Sequence, residues 1–404
     1  MIGPLPPLAA DGIGFASLAS LCILAAWYAP AAFPLVLATA SAVVALSWLH
    51  GLDLAVLAVF LVPPYAVARW TWGRPERADG KVIVAAIALQ TAMFLVIKGY
   101  PGASLLQPWA QPVAVVGISY MLFRQLQLMI DAPNMGDVKL TPYRYLTWLL
   151  AFWTLLAGPI QRYGDFVAGL KGVHRPGRDE ALAAAHRAVN GFIKAFVLAP
   201  VLLGPSKVTL LARPGSDWLD LAVIFYTFPF YLYLNFAGYT DMMIGIARLC
   251  GFTTLPENFN APYLARNCQE FWGRWHMSLS SWIRDYLFAP LSLAIHRRLP
   301  ARFHSLALAA AVMMTFVVVG AWHGTTGAFI VFGLMHGVGV LAVAVWDGLL
   351  KKRLGRAARK AFVERPWVRV TATVLTFHYV AAAMALVNNS LEEITVSLSA
   401  FLRL

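Results

Sequence analysis

Charge is what this chain has least of. Only 13% of its 404 residues are Asp, Glu, Lys or Arg, about half the share of a soluble domain. Acids are the scarcer sign, 19 against 32 bases, which leaves a formal charge of +13. Cysteine is nearly absent too. Cys22, Cys250 and Cys268 are odd in number and far apart, which excludes a disulfide framework and a zinc ribbon. No carboxylate or Cys stands at a ligand spacing from His276 or His323, so a helical zinc site is not suggested. No internal repeat of the transporter kind is visible. The first apolar run lacks the basic flank of a secretory signal, so it is read as a retained span.

What fills the chain is hydrocarbon. Hydrophobic residues make up 60% of it, in recurring runs long enough to cross roughly 30 Å of lipid as helices. Apolar helices are predicted near 13–28, 31–48, 51–70, 82–98, 112–130, 144–160, 190–212, 217–249, 303–322, 325–350 and 368–390. The fold class is therefore all-α, a polytopic integral membrane protein with about 11 transmembrane helices. The positive charge belongs to cytoplasmic loops and not to nucleic-acid binding. Lys351 to Arg369 holds eight bases against the single acid Glu364. Residues 1–12 carry no base, whereas "RWTWGRPERADGK" follows the third run, which fits three crossings from an outside start.

Later segments do not alternate so cleanly. The basic stretches 162–187, 266–302 and 351–369 all look cytoplasmic, so some intervening segments must re-enter or lie in the interface. Irregular backbone survives at membrane depth only within protein or beside a water-filled cavity. "GPIQRYGDF" (158–166) and "PENFNAPYL" (256–264) are the expected places. In "GISYMLFRQLQLMID", Tyr120, Arg124, Gln127 and Asp131 fall on one helix face, a stripe that either glues helices or lines a cavity. Asp241 must find a donor inside the protein, with Gly238 and Gly245 letting helices close in around it.

The stretch "FWGRWHMSLSSWIRDYLF" (271–288) gathers polarity unusual for this chain. Read as one helix, it puts Trp272, Trp275, Leu279, Trp282 and Ile283 on one side. Arg274, Ser278, Ser281 and Asp285 fall on the other, as in an interfacial amphipathic helix with its tryptophans at the lipid boundary. His276 lies on the flank of the tryptophan side. Ser280, one turn on, is its only close serine, so a Ser–His nucleophile pair is one reading. His323 sits midway along an uncharged stretch that "GTTG" should break into two helices. His336, 13 residues on, would point away from it on a continuous helix, and packing is the expected role.

Several of these segments together resemble the membrane-bound O-acyltransferase superfamily, in the bacterial branch of alginate O-acetylation and lipoteichoic-acid D-alanylation. They are "GISYMLFRQLQLMID", "AGPIQRYGDF", "NFAGYTDMMIGIARLCGF", "PENFNAPYLARNCQEFWGRWHMSLSSWIRDYLF", "AWHG" and "GLMHG", in the family's order across residues 117 to 340. The resemblance implies a single membrane domain of helices and re-entrant segments around a central tunnel. Peripheral N-terminal helices take 1–110, the catalytic core 111–340, and a basic cytoplasmic loop with C-terminal helices 341–404. It implies His323 as the catalytic histidine and His276 as the second signature position, where many eukaryotic members carry asparagine. Donor or acceptor contacts are expected from Asn258, Asn260, Arg274, Trp275, Ser278, Arg284, Asp285, Asp241, Arg124 and Trp322.

The chemistry so implied takes an acyl group, acetyl first, from a cytoplasmic thioester to a hydroxyl across the bilayer. A hydroxyl attacks well only if a base removes its proton, and histidine titrates near neutrality. His276, Asn258 or Asn260 would polarise the thioester carbonyl. No tightly bound cofactor is expected. The donor would be acetyl-CoA or an acyl carrier protein, drawn by Arg266, Arg274, Arg284, Arg297 and Arg298. The acceptor would be an extracytoplasmic polysaccharide or a partner acyltransferase, with polysaccharide secretion machinery as a possible neighbour, in a bacterial inner membrane. D-alanyl transfer is the rival within the family; a proton-coupled transporter or a secretion scaffold is the rival outside it.

Overall fold

The computed structural model describes residues 12–49, 51–103, 115 and 117–402. Among them there are helices and no strands. Two compact units emerge from the contacts. Unit 1 takes the described residues up to Phe196 together with Gly238–Pro256, and unit 2 takes Val197–Ala237 and Glu257 onward.

Unit 1 holds α1 (Ile13–Tyr28), α2 (Phe33–Leu46), α3 (Leu52–Thr71), α4 (Gly80–Ile97), α5 (Ile118–Asp131), α6 (Pro142–Leu150), α7 (Phe152–Leu155), α8 (Tyr163–Lys171) and α9 (Arg178–Phe192). Helices α3, α4 and α5 pack on one another. Pro64 explains part of their polarity. It has no N–H to give the Phe60 carbonyl one turn back. Instead, the Gln90 amide donates to that carbonyl at 2.9 Å and the Gln125 amide at 3.3 Å.

The expected span at 144–160 does not form. Helix α6 stops after nine residues, at Leu150, and Ala151 turns to φ −46°, ψ 116°. Helix α7 is a single turn, and 158–162 is irregular, as the proline in "GPIQRYGDF" foretold. The span expected at 190–212 begins earlier, at Arg178, where Glu180 accepts from the Gly177 N–H at 3.1 Å and caps α9. Residues 112–114 and 116 of the span expected at 112–130 lie outside the described residues.

Unit 2 holds α10 (Ala199–Leu203), most of α11 (Trp218–Leu249), α12 (Cys268–Trp272), α13 (Met277–Ile283), α14 (Ala289–Arg298), α15 (His304–His323), α16 (Gly327–Val363), α17 (Pro366–Asn388) and α18 (Leu391–Leu402). Helices α15, α16 and α17 pack in sequence. Where α15 crosses α16, a Cβ on Gly320 would come 3.3 Å from the Gly333 Cα, so the two backbones touch. The "GTTG" break falls where the sequence predicts, between His323 and Gly327. Helix α16 reverses at Gly355, whose φ is 76°. Asp347 thereby meets Arg359, which on a straight helix would lie about 18 Å away. The basic segment after Leu350 is thus a helical hairpin and not an open loop.

Among the described residues seven helical segments are long and apolar enough to cross a membrane, and α1 and α2 are shorter apolar helices. The chain is a multi-pass membrane protein.

Candidate active site

The site of greatest interest is built from the segment between α11 and α13. Residues 256–261 form no helix, with Ala261 in the left-handed region at φ 43°, and two backbone hydrogen bonds tie them to the stretch after α12. Asn260 N–H donates to the Arg274 carbonyl and Met277 N–H to the Asn258 carbonyl, both at 2.9 Å. The single helix expected across 271–285 is therefore two. Helix α12 ends at Trp272, and α13 starts at Met277, with His276 capping it in the left-handed region at φ 43°, ψ 53°. The break follows from Gly273 and from those two ladder bonds, which take backbone groups that a continuous helix would use.

The break also moves the tryptophans off the lipid boundary. Trp275 and Trp282 are buried. Trp275 stacks on Phe271 with ring centroids 5.6 Å apart and meets Phe259 edge-on at 5.1 Å. These rings form the core of this part of unit 2, so interfacial anchoring is corrected to internal packing.

Asn258 is the hub. It is fully buried, and its Oδ1 accepts from the Ser278 N–H at 3.2 Å and the Ser278 hydroxyl at 2.8 Å. A backbone N–H can only donate, so that atom is the amide oxygen. His276 Nδ1, 3.0 Å from the same oxygen, must then carry its proton. In the neutral ring the lone pair then sits on Nε2. The Ser–His pair through Ser280 does not form, since Ser280 donates its hydroxyl to the Trp275 carbonyl at 3.1 Å. Ser278 belongs to the histidine's network through Asn258.

His323 ends α15. Its ring lies parallel to Phe329, with centroids 6.4 Å apart, and edge-on to Phe332 at 5.4 Å. Trp322 stands beside it at 4.6 Å. The residue is exposed at the helix end. It borders open space and is not sealed in packing. His336 is closer than a continuous helix would allow, because the break swings α16 back. Phe332 lies edge-on to His336 at 4.7 Å as well as to His323. His336 also lies against Phe271 and Trp272, in the segment that leads to His276, with ring centroids 6.0 and 5.0 Å away. Three histidines converge, and spacing alone had assigned His336 elsewhere.

Polar capacity is left over among them. Asn258 Nδ2, Trp272 Nε1 and His336 Nδ1 are buried with no hydrogen-bond partner. A buried polar atom left unpaired costs about 1–3 kcal/mol, and such atoms mark places built to meet a ligand or ordered water.

Beside this cluster in unit 2 a recess of about 580 Å³ is lined by Arg266, Arg274 and Arg369, with Glu270 among them. Glu270 takes Arg274 at 2.8 Å and Arg266 at 3.4 Å. Burial pushes its carboxyl up, but the Arg266 N–H and both guanidiniums outweigh that and hold it below its ordinary range. Asn260 is exposed at the turn, and its carbonyl accepts from Arg274 at 3.4 Å. Of the arginines expected to share one surface, Arg284, Arg297 and Arg298 do not line this recess; Arg284 pairs with its neighbour Asp285 at 2.9 Å. Arg369 does, and the reading of 351–369 as loop charge had hidden it.

Two expected site residues belong to unit 1. Arg124 is fully buried there. Its guanidinium donates to the Trp148 carbonyl at 2.7 Å, the Leu149 carbonyl at 2.9 Å and the Thr154 hydroxyl at 3.0 Å. The two carbonyls are groups that the early end of α6 leaves unpaired. Asp241 is held by Arg187 at 2.8 Å and Lys194 at 3.0 Å. A Cβ on Gly238 would sit 2.6 Å from the Ala195 N, so that glycine lets the helices come close enough for the ion pairs. Both side chains spend their polarity within unit 1, the use weighed from sequence as the alternative to substrate contact. The cysteines Cys22, Cys250 and Cys268 are buried free thiols.

Comparison with known proteins agrees with the resemblance. The model of the membrane-bound O-acyltransferase family matches residues 132–370. A teichoic acid D-alanyltransferase of Streptococcus thermophilus is 30% identical over 290 residues, 69% of each chain. One from Bacillus subtilis is 30% identical over 317 residues, 76% of this chain and 78% of that one. A protein named probable alginate O-acetylase from Azotobacter vinelandii is 34% identical over 226 residues, 55% of this chain and 43% of that one. The chain belongs to the membrane-bound O-acyltransferase family and is an acyltransferase.

Proposed function

We propose that His323 is the general base of an O-acyl transfer and that His276 supports it. The acceptor oxygen attacks the thioester carbonyl carbon while His323 takes the hydroxyl proton. The carbon–sulfur bond then breaks, and the thiolate leaves and recovers a proton. One observation carries the reading: His323 borders open space within a cluster that offers a second imidazole and three unpaired polar atoms. A positioned base contributes typically about 10²–10⁴-fold. The His276 lone pair can hold the acceptor hydroxyl, and Asn258 Nδ2 can donate to the developing oxyanion.

In this reading both substrates reach His323 along a passage through the bilayer of a bacterial inner membrane. The donor approaches from the cytoplasmic side, and the recess of Arg266, Arg274 and Arg369 suits the phosphates of a CoA thioester or the acidic face of a carrier protein. Acetyl is the expected group, and an exported polysaccharide or a relay acyltransferase the acceptor. D-alanyl transfer from a carrier protein is the second reading. It is favoured by relatives of that name matching most of their own length, 69% and 78%, against 43% for the acetylase.

The test is label transfer in membranes, with acetyl-CoA, acetyl-carrier and D-alanyl-carrier as donors. The expected outcome is transfer from one donor class, reduced at least about a hundredfold by His323→Ala. Transfer indifferent to that change would overturn the assignment of His323 as the base.

A further inference from the structure

Unit 1 carries a second recess, of about 250 Å³, where the end of α5 meets the start of α8. Gln127 and Asp131 come from α5, Asn134 from the turn after it, and Arg162, Gly164 and Asp165 from the entry to α8. Gln127 is 1% exposed, and its Nε2 donates to Asp131 at 3.1 Å. Its Oε1 is buried and has no partner.

The orphan atom is an acceptor, so it calls for a donor. Arg162 and the first N–H groups of α8 would suit an anion, but two carboxylates and a carbonyl-type oxygen repel one. Carboxylates outnumber guanidiniums among the side chains that line it, which suits a cation. A bare ion would fill little of the space. A primary ammonium has three N–H donors, enough for Gln127 Oε1 and a carboxylate at once, and a short carbon chain would occupy the rest.

The setting narrows the source. The loop after α3 is bound to this corner: Gly73 N–H donates to the Ala132 carbonyl at 3.0 Å and Trp72 Nε1 to the Val138 carbonyl at 2.6 Å. That loop carries Arg74 and Arg77, and Lys81 opens α4; bases beside a span mark the cytoplasmic face. We infer that the recess binds a primary ammonium on a short chain at the cytoplasmic membrane surface, supplied by an aminophospholipid headgroup or by a free amine. The site is independent of the chemistry at His323.

The full-length protein in detergent provides the test, with thermal unfolding as one readout and retained lipid by native mass spectrometry as the other. Ethanolamine should raise the melting temperature, whereas choline, which has no N–H, and ethylene glycol should not. Asp165→Asn, at the exposed rim, should weaken ethanolamine binding by about tenfold, the loss of one charge-assisted contact. Gln127→Leu is the second variant and should do the same. Selective retention of phosphatidylethanolamine over phosphatidylcholine, lost in Asp165→Asn, would assign the lipid. An ethanolamine response without that selectivity would assign the free amine. Equal response to choline and ethanolamine, stabilisation by inorganic phosphate instead, or a preference unchanged in both variants would overturn the inference.

Discussion

Arg124 in unit 1 and the pair His276 and His336 in unit 2 are all buried polarity in an apolar chain, yet their hydrogen bonds are spent differently. Arg124 gives its guanidinium to the carbonyls of Trp148 and Leu149, the Thr154 hydroxyl and its own helix. The histidine cluster fixes one tautomer through Asn258 and leaves Asn258 Nδ2 and His336 Nδ1 unmet. Polarity fully consumed by backbone is architecture. Polarity held in place but left unmet is available for chemistry.

The sharpest way to break this comparison is to exchange the expected phenotypes. Arg124→Met strands carbonyls at the end of α6, and the loss should be about 3 kcal/mol or more, since each buried orphan costs 1–3. Thermal unfolding in detergent should show it, with activity per folded molecule kept. His323→Ala should leave the melting temperature nearly unchanged. Reversed results would dissolve the distinction.

A smaller effect is expected at the hub. Asn258→Ala frees the His276 ring, and kcat should fall about tenfold or more, as for groups that orient a catalytic partner. Asn258→Asp keeps the acceptor and should restore much of it. The added negative charge favours imidazolium at His276, so the acid limb of the rate profile should move to higher pH. A profile unmoved by the aspartate would separate His276 from the rate.

The smallest effect concerns Glu270. Its carboxyl is held below the ordinary value near 4.5, so the stabilisation is present above that value and fades as pH falls through the lowered one. Glu270→Gln should cost about 1 kcal/mol or less at pH 7, and the difference from wild type should shrink under acid. A difference that grows on acidification would contradict the pairing.

Much of the helical plan was legible because hydrocarbon runs announce spans by length alone, and "GTTG" and the prolines at 159 and 256 marked the breaks correctly. The site was legible in its members and not in its geometry. A helical wheel assumes continuous backbone, so it could not see that His276 caps a new helix or that the turn after His323 returns His336 to the same place. Arg124 was visible as an anomaly, but its purpose depends on α6 ending at Leu150, 26 residues farther along the chain. Asn258 was legible as a candidate; that one oxygen would order both Ser278 and His276 was not.

The positive φ at His276 bears on which families of chemistry the fold can host. A left-handed backbone is tolerated by histidine and asparagine far better than by branched side chains. The main chain thus acts as a filter ahead of any reaction, admitting to position 276 the two residue types that the resemblance attributes to the superfamily's branches. Isoleucine or valine there would be refused by the peptide geometry before a substrate was ever met.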